Sequence, residues 1–244
     1  MKRVCVSYDI LNTELKRLTR TIISDLSVEV LGDSEDLKGF SLPASNFLFE
    51  KEINRRQEMV FSGVEQDKVI FEEGKNNSFE NIGTYENKSV REFFQTNSQR
   101  FNLIWLDYCS NFNIKMINDL KIILSEDNFD LSESNGIFGL TVAGNRDPQI
   151  KIVTKFMGIE DTFENRATAR LAGIPLLLMH YVEQWNSGIE LVPIRHIKYH
   201  DELEGKRVPM FLRLFKVKKN FGDYTKYKLG TASVVTNKKV TINV

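Results

Sequence analysis

The chain alternates short apolar runs with stretches of helical periodicity. Residues 38–42 (Lys-Gly-Phe-Ser-Leu) form a strand pattern that runs into Pro43-Ala44-Ser45. Residues 46–56 predict a helix with Phe47, Leu48, Phe49 and Ile53 on its apolar side. Residues 58–65 predict a strand ending at Glu65, and residues 67–73 a helix. The polar stretch Gly74-Lys75-Asn76-Asn77-Ser78 predicts a loop. Ile82 to Tyr85 is a short strand candidate. Ser89-Val90-Arg91-Glu92 has the S-x-x-E form of a capping box and opens a helix to about Gln95. Residues 101–107 predict an apolar strand ending at Asp107. Apolar residues at 114, 117, 120, 123 and 124 have helical spacing, and residues 136–143 form another buried-strand pattern.

Near-continuous apolar runs separated by helices are what a parallel sheet covered on both faces requires. The expected fold class is therefore α/β, with a doubly wound, mostly parallel sheet and a ligand crevice at the carboxyl ends of its strands. The end of the chain departs from that pattern. Residues 190–199 and 208–218 read as two strands joined by a turn over 201–207, with no helix between them. They predict an antiparallel C-terminal hairpin closing the sheet. Trp185 is expected to end a helix packed on the sheet. The first 36 residues predict a strand and a helix. The tail, with alternating Val234, Val235, Val240 and Ile242, predicts a hairpin turning near Thr236 to Lys239, or a strand reaching a partner's sheet edge. The organisation expected is an extension over residues 1–36, a core over 37–219 and a β extension over 220–244.

Composition narrows the function classes. The 244 residues carry 33 Lys plus Arg and 33 Asp plus Glu, so the net charge is zero. That argues against a protein that coats nucleic acid by charge alone and leaves local basic grooves open. Basic clusters occur at Lys16, Arg17 and Arg20, at Arg55-Arg56, and at Lys216, Lys218 and Lys219. Each fits phosphate contact, and for any single cluster the solvated face is favoured. The two cysteines, Cys5 and Cys109, form no CxxC pair and no Cys/His cluster, so no metal site is expected. They fit a reducing compartment. His180, His196 and His200 show no ligand spacing. The longest apolar run, residues 174–182, contains Pro175 and His180 and is about half the ~20 residues of a membrane span. A cytoplasmic protein is expected.

The order and spacing of these elements over residues 37–219 resemble the class I S-adenosylmethionine-dependent methyltransferases. The resemblance is carried by Val60-Phe61-Ser62-Gly63-Val64-Glu65, Gly83-Thr84-Tyr85-Glu86-Asn87 and Leu103-Ile104-Trp105-Leu106-Asp107-Tyr108. It implies that Glu65 binds the two ribose hydroxyls of S-adenosylmethionine, and that Tyr85 and Glu86 lie beside its adenine. It implies that Leu42, Pro43, Ala44 and Ser45 form the loop against its methionine part. Asp107 would face the methyl acceptor, with Tyr108 a surface on which an extruded base could stack.

Two departures from the family pattern stand out. The loop Ser41 to Asn46 has no glycine, and Gly39 comes too early; Ser45 or Asn46 is expected to cap the following helix instead. Asp107-Tyr108-Cys109-Ser110 lacks the Pro-Pro of adenine and cytosine amino-methyltransferases, and Cys109 lacks the preceding proline of a C5-methylating nucleophile. The non-catalytic alternatives are a solvated acid at Glu65, a helix-capping role for Asp107 ahead of Asn113, and simple packing for Tyr108. Asn145-Arg146-Asp147 reads as a polar turn before a helix near Pro148, or as a substrate contact. The function implied is a methyltransferase acting on nucleic acid. The alternative is an inactive methyltransferase fold serving as a binding or assembly module, and self-association is left open.

Overall fold

The computed structural model describes residues 14–132, 135–144, 150–203, 206–220, 231–235 and 240–243. Its parallel strands are β1 (Lys38–Ser41), β2 (Val60–Val64), β3 (Ile82–Glu86), β4 (Leu103–Asn111) and β5 (Gly136–Ala143), in the spatial order β3-β2-β1-β4-β5. A long hairpin follows, β6 (Ile189–Leu203) and β7 (Lys206–Lys219). β7 pairs antiparallel with both β5 and β6, so it fills the place between them. β8 (Thr231–Val235) then joins β6 in parallel, and β9 (Val240–Asn243) pairs antiparallel with β8.

Side-chain alternation along β4 shows how the sheet is covered. Leu103 and Trp105 enter the core beneath α1 (Glu14–Leu31) and α2 (Leu48–Asn54), with Ile23, Phe49 and Ile53. Ile104 and Leu106 enter the opposite core, built with α4 (Val90–Thr96), α5 (Ile114–Ile123) and α8 (Ile174–Gln184). α3 (Lys68–Asn77) joins β2 to β3, while α6 (Ile150–Met157), α7 (Phe163–Thr168) and a π-helical turn (Ala169–Gly173) lead from β5 to α8. Trp185 caps α8 as expected. No described helix is long and apolar enough to cross a membrane.

Several boundaries differ from the sequence expectation. Residues 74–77 are the last turn of α3, not a loop. Gly74 belongs there because a Cβ would lie 2.6 Å from Tyr85 Oη, so its absence lets the tyrosine ring dock against the helix. β4 does not stop at Asp107 but continues to Asn111, with a register shift against β5 after Asp107. The β6–β7 ladder extends through Asp201–Leu203, so the reversal is tighter than the predicted 201–207 turn. In the tail, β8 and β9 pair with one another, and β8 pairs with β6 of the same chain. The Thr236–Lys239 turn, the predicted strand before α1, the Asn145–Asp147 segment and Pro148 lie outside the described residues.

The β6–β7 seam buries a basic pair. Arg213 is 1% exposed; it donates from Nη1 to the Phe211 carbonyl (3.1 Å) and from Nη2 to the Arg170 carbonyl in the π-helical turn. His196, its cross-strand partner, is also buried, and neither ring nitrogen meets a hydrogen-bond partner among the described residues. Desolvation first, and then the Arg213 charge, push the imidazole down from 6.5 to about 4. Between these values the unfolded chain takes up a proton that the folded chain refuses. Stability is therefore full above pH 6.5 and expected to fall by roughly 3 kcal/mol as the pH drops to about 4. Urea denaturation across that range measures the slope, which His196→Leu should flatten. An unchanged slope in the variant would show that other groups cause it.

Candidate functional site

The carboxyl ends of β1, β2 and β4 open into a cavity of about 840 Å³. Its walls come from the segment after β1, from the end of β2, and from the first turns of α3, α4 and α5. Each of those helices is capped by a side chain at the cavity. Asp67 accepts from the Val69 and Ile70 N–H groups, Ser89 from the Glu92 N–H, and Asn113 from the Met116 N–H. Ser89 and Glu92 complete the predicted capping box reciprocally. Because Asn113 caps α5, the proposed capping alternative for Asp107 falls away.

The segment after β1 turns without a glycine of its own. The N-cap of α2 is Phe47, in the left-handed region (φ 52°, ψ 40°), and no side chain caps the helix; the expected Ser45 or Asn46 cap is not formed. A buried phenylalanine holds that conformation because its ring is packed edge-on against Tyr85 (5.1 Å) and Phe79 (6.2 Å). The missing glycine is supplied from the neighbouring strand. A Cβ on Gly63 of β2 would sit 2.6 Å from Pro43 Cδ, so only glycine lets the segment lie this close to the sheet. Asn77 of α3 donates from Nδ2 to the Ser45 carbonyl (3.0 Å) and pins the far end.

Glu65 stands at the tip of β2 on the cavity wall. Its N–H donates to the Glu86 carbonyl (3.0 Å), and its carboxylate accepts from the Asp67 N–H (2.7 Å). Burial pushes its carboxyl up from the ordinary value, the Asp67 N–H opposes that shift, and the Asp67 charge adds to it. Asp107 lines the same cavity from β4. It also lines a second pocket of about 40 Å³ beneath α1, with Glu50, Trp105, Tyr199, Lys16 and Arg20. The two spaces share Leu42, Ala44 and Asp107. Tyr108 points to the other face of the sheet, where its ring packs against the α4–α5 core. Its hydroxyl is buried without a hydrogen-bond partner among the described residues. Burial, and next the nearby Asp119, push it upward, so it stays protonated at working pH. Asp119 accepts from Arg91 Nε (3.0 Å) across α4 and α5.

Among the sequence candidates, the large cavity brings together Leu42, Ala44, Glu65, Asp107 and Tyr108. Pro43 lines only the smaller pocket, and Ser45, Tyr85 and Glu86 line neither. Tyr85 faces away because it pairs in register with Gly63, on the face covered by α2 and α3. Its ring lies between Phe47 and Phe71. Glu86 makes an ion pair with Lys88 (2.5 Å). Residues that sequence reasoning missed include Ile70, Val90, Arg91 and Asp119 on the large cavity and Glu50 on the small one. The caps were the signal for the first group, since in a doubly wound sheet the helix N-termini gather at the crevice.

No protein-family model matches the chain, and a search of curated proteins gives no match. Solved structures do. Trm1 from Pyrococcus horikoshii, in complex with S-adenosyl-L-methionine, matches with a TM-score of 0.61 at 12% identity, over 86% of this chain and 56% of that one. The plantazolicin methyltransferase BpumL, in complex with SAH, matches with a TM-score of 0.53 at 10% identity, over 86% of this chain and 87% of that one. A putative class I S-adenosylmethionine-dependent methyltransferase from Listeria monocytogenes gives 0.53 at 9% identity, over 89% of this chain and 64% of that one. The fold is that of the class I S-adenosylmethionine-dependent methyltransferases, with its mostly parallel sheet and antiparallel C-terminal pair.

Proposed function

We propose that the chain is an S-adenosylmethionine-dependent methyltransferase. The observation that carries this reading is the open cavity at the strand ends, walled by Glu65 on one side and Asp107 on the other. A fold kept only as a scaffold has no need of a solvated crevice of this size, within the ~300–1,000 Å³ range of small-molecule sites. The complexes of fold neighbours with SAH and S-adenosyl-L-methionine support the same ligand class. The inactive-module alternative rests on the glycine-free loop, and Gly63 weakens it by giving that segment room.

The residues fit the cofactor. Glu65 offers a carboxylate to vicinal hydroxyls, and Leu42, Pro43, Ala44 and Ser45 form the segment for the methionine part. Lys88 and the first turn of α4 bound the base end, with Tyr85 supporting Phe47 from behind. When bound, the cofactor supplies an electrophilic methyl group. Asp107 orients the acceptor for in-line attack, so positioning supplies most of the rate. The acceptor class we propose is nucleic acid. Its support is Arg17, exposed on α1 beside the small pocket. The other basic clusters lend less. Arg55 pairs with Glu52, Arg56 with Asp25 and Glu52, and Lys219 with Glu126.

Gly63→Ala tests the loop. The added methyl must displace Pro43, and SAH affinity is expected to fall about tenfold, the scale of one overpacking contact of ~1–3 kcal/mol. Calorimetric titration of the variant checks it. Unchanged affinity would detach the Leu42–Ser45 segment from the ligand.

A further inference from the structure

We infer that Glu50 is the second carboxylate of the acceptor site, and that the group it receives is a neutral amine, the exocyclic NH2 of a nucleobase offered edge-on. This rests on the methyltransferase reading above and assigns the acceptor side of that same site.

Glu50 projects from α2 and is 1% exposed. Its Oε1 accepts a hydrogen bond from Ser41 Oγ at the end of β1, which fixes the carboxylate over the strand tips. Glu50 lines the small pocket beneath α1, and that pocket shares the walls Leu42, Ala44 and Asp107 with the large cavity. A ribose held by Glu65 at β2 directs the reactive end of the cofactor toward β4. The far side of Asp107, where Glu50 sits, is then where an acceptor arrives.

Size, shape and charge select the acceptor group. About 40 Å³ holds roughly three waters at ~10–15 Å³ each, enough for an amino group and a ring edge but not for a whole base. The pocket's wall is flat and aromatic, with Trp105 stacked on Phe49 at 4.6 Å and 27°. Lys16 and Arg20 balance the formal charges of Glu50 and Asp107, so the pocket has no net charge with which to favour a cation. An aliphatic ammonium would first have to lose a proton near pH ~10. A nucleobase amine is already neutral and presents two N–H donors to two carboxylates. In the transfer, the acceptor nitrogen forms its bond to the methyl carbon as the carbon–sulfur bond breaks. The sulfonium becomes a neutral thioether, and the proton lost from nitrogen passes to Asp107 or water.

The test uses the full chain, SAH, radiolabelled S-adenosylmethionine, short mixed-sequence single-stranded RNA and DNA, and a mixed-sequence peptide with a free N-terminus. The wild type should bind the oligonucleotides in the presence of SAH, and nucleoside digests should contain label on an exocyclic nitrogen. Glu50→Gln keeps the volume and an acceptor for Ser41. It should raise the oligonucleotide KM by about tenfold or more, the scale of one hydrogen bond to a charged group, and leave SAH affinity unchanged. Glu50→Asp should recover part of the loss. If Glu50 merely clasps Ser41, Glu50→Gln and Ser41→Ala will lower the melting temperature alike and leave KM untouched, which overturns the assignment. Labelled peptide with unlabelled nucleic acid, label on carbon, or SAH binding with no oligonucleotide binding or transfer overturns the acceptor class. Failure of the wild type to bind SAH removes the methyltransferase reading itself.

Discussion

Asp107→Ala is expected to reduce methyl transfer by about 10²-fold or more while SAH affinity changes little. Asp107 lines both the large cavity and the small pocket. In the proposed site, a side chain common to both spaces reaches the acceptor beside the methyl group. Removing it leaves the Glu65 end of the cavity, on β2, intact. Asp107→Asn separates two roles. It keeps one oxygen acceptor and most of the shape, so a variant that retains about a tenth of the rate would place the contribution in orientation. Loss equal to that of alanine would place it in the charge and proton acceptance. Single-turnover transfer measured beside SAH titration distinguishes these outcomes, and full turnover in Asp107→Ala would remove the residue from the reacting centre.

The second large effect is on binding. Glu65→Ala should weaken SAH by about ten- to a hundredfold, since hydrogen bonds to a charged group contribute ~1.5–3 kcal/mol each. Part of that loss is local, because the Glu65 carboxylate also accepts from the Asp67 N–H at the start of α3. Glu65→Gln keeps an oxygen for that N–H and should recover some affinity. The raised carboxyl adds a pH signature. Affinity should fall on acidification at a pH above that expected for an exposed glutamate, as the carboxylate protonates and loses an acceptor. An affinity independent of both substitution and acid would move the ribose away from β2.

The parallel core was legible because its strands are buried on both faces, which leaves apolar runs such as residues 101–107 and 136–143 with little ambiguity. Glu65 and Asp107 could be placed at the crevice from the same pattern, since an acid after such a run comes at a carboxyl end. What lay outside the pattern depended on tertiary contact. Gly74 and two asparagines favour a loop by local propensity, and the helix persists because the Tyr85 ring packs where a Cβ would be. Tyr85 itself sits on a short edge strand, where a single residue of register decides which face a side chain takes. The absence of glycine from Ser41 to Asn46 looked like a lost loop. The compensation lies about twenty residues away at Gly63, and in a left-handed phenylalanine that no propensity scale would choose. Glu50 gave no signal because an acid in a short helix is ordinarily solvated, and only the packing of α1 over it reveals the burial.

Calorimetric titration of the purified wild-type chain with SAH tests the central claim most directly. One saturable site per chain, weakened in Glu65→Ala, is the result predicted. No heat of binding up to about 1 mM ligand, where even a weak ~4 kcal/mol site would register, would contradict the methyltransferase account and leave a fold used for another purpose.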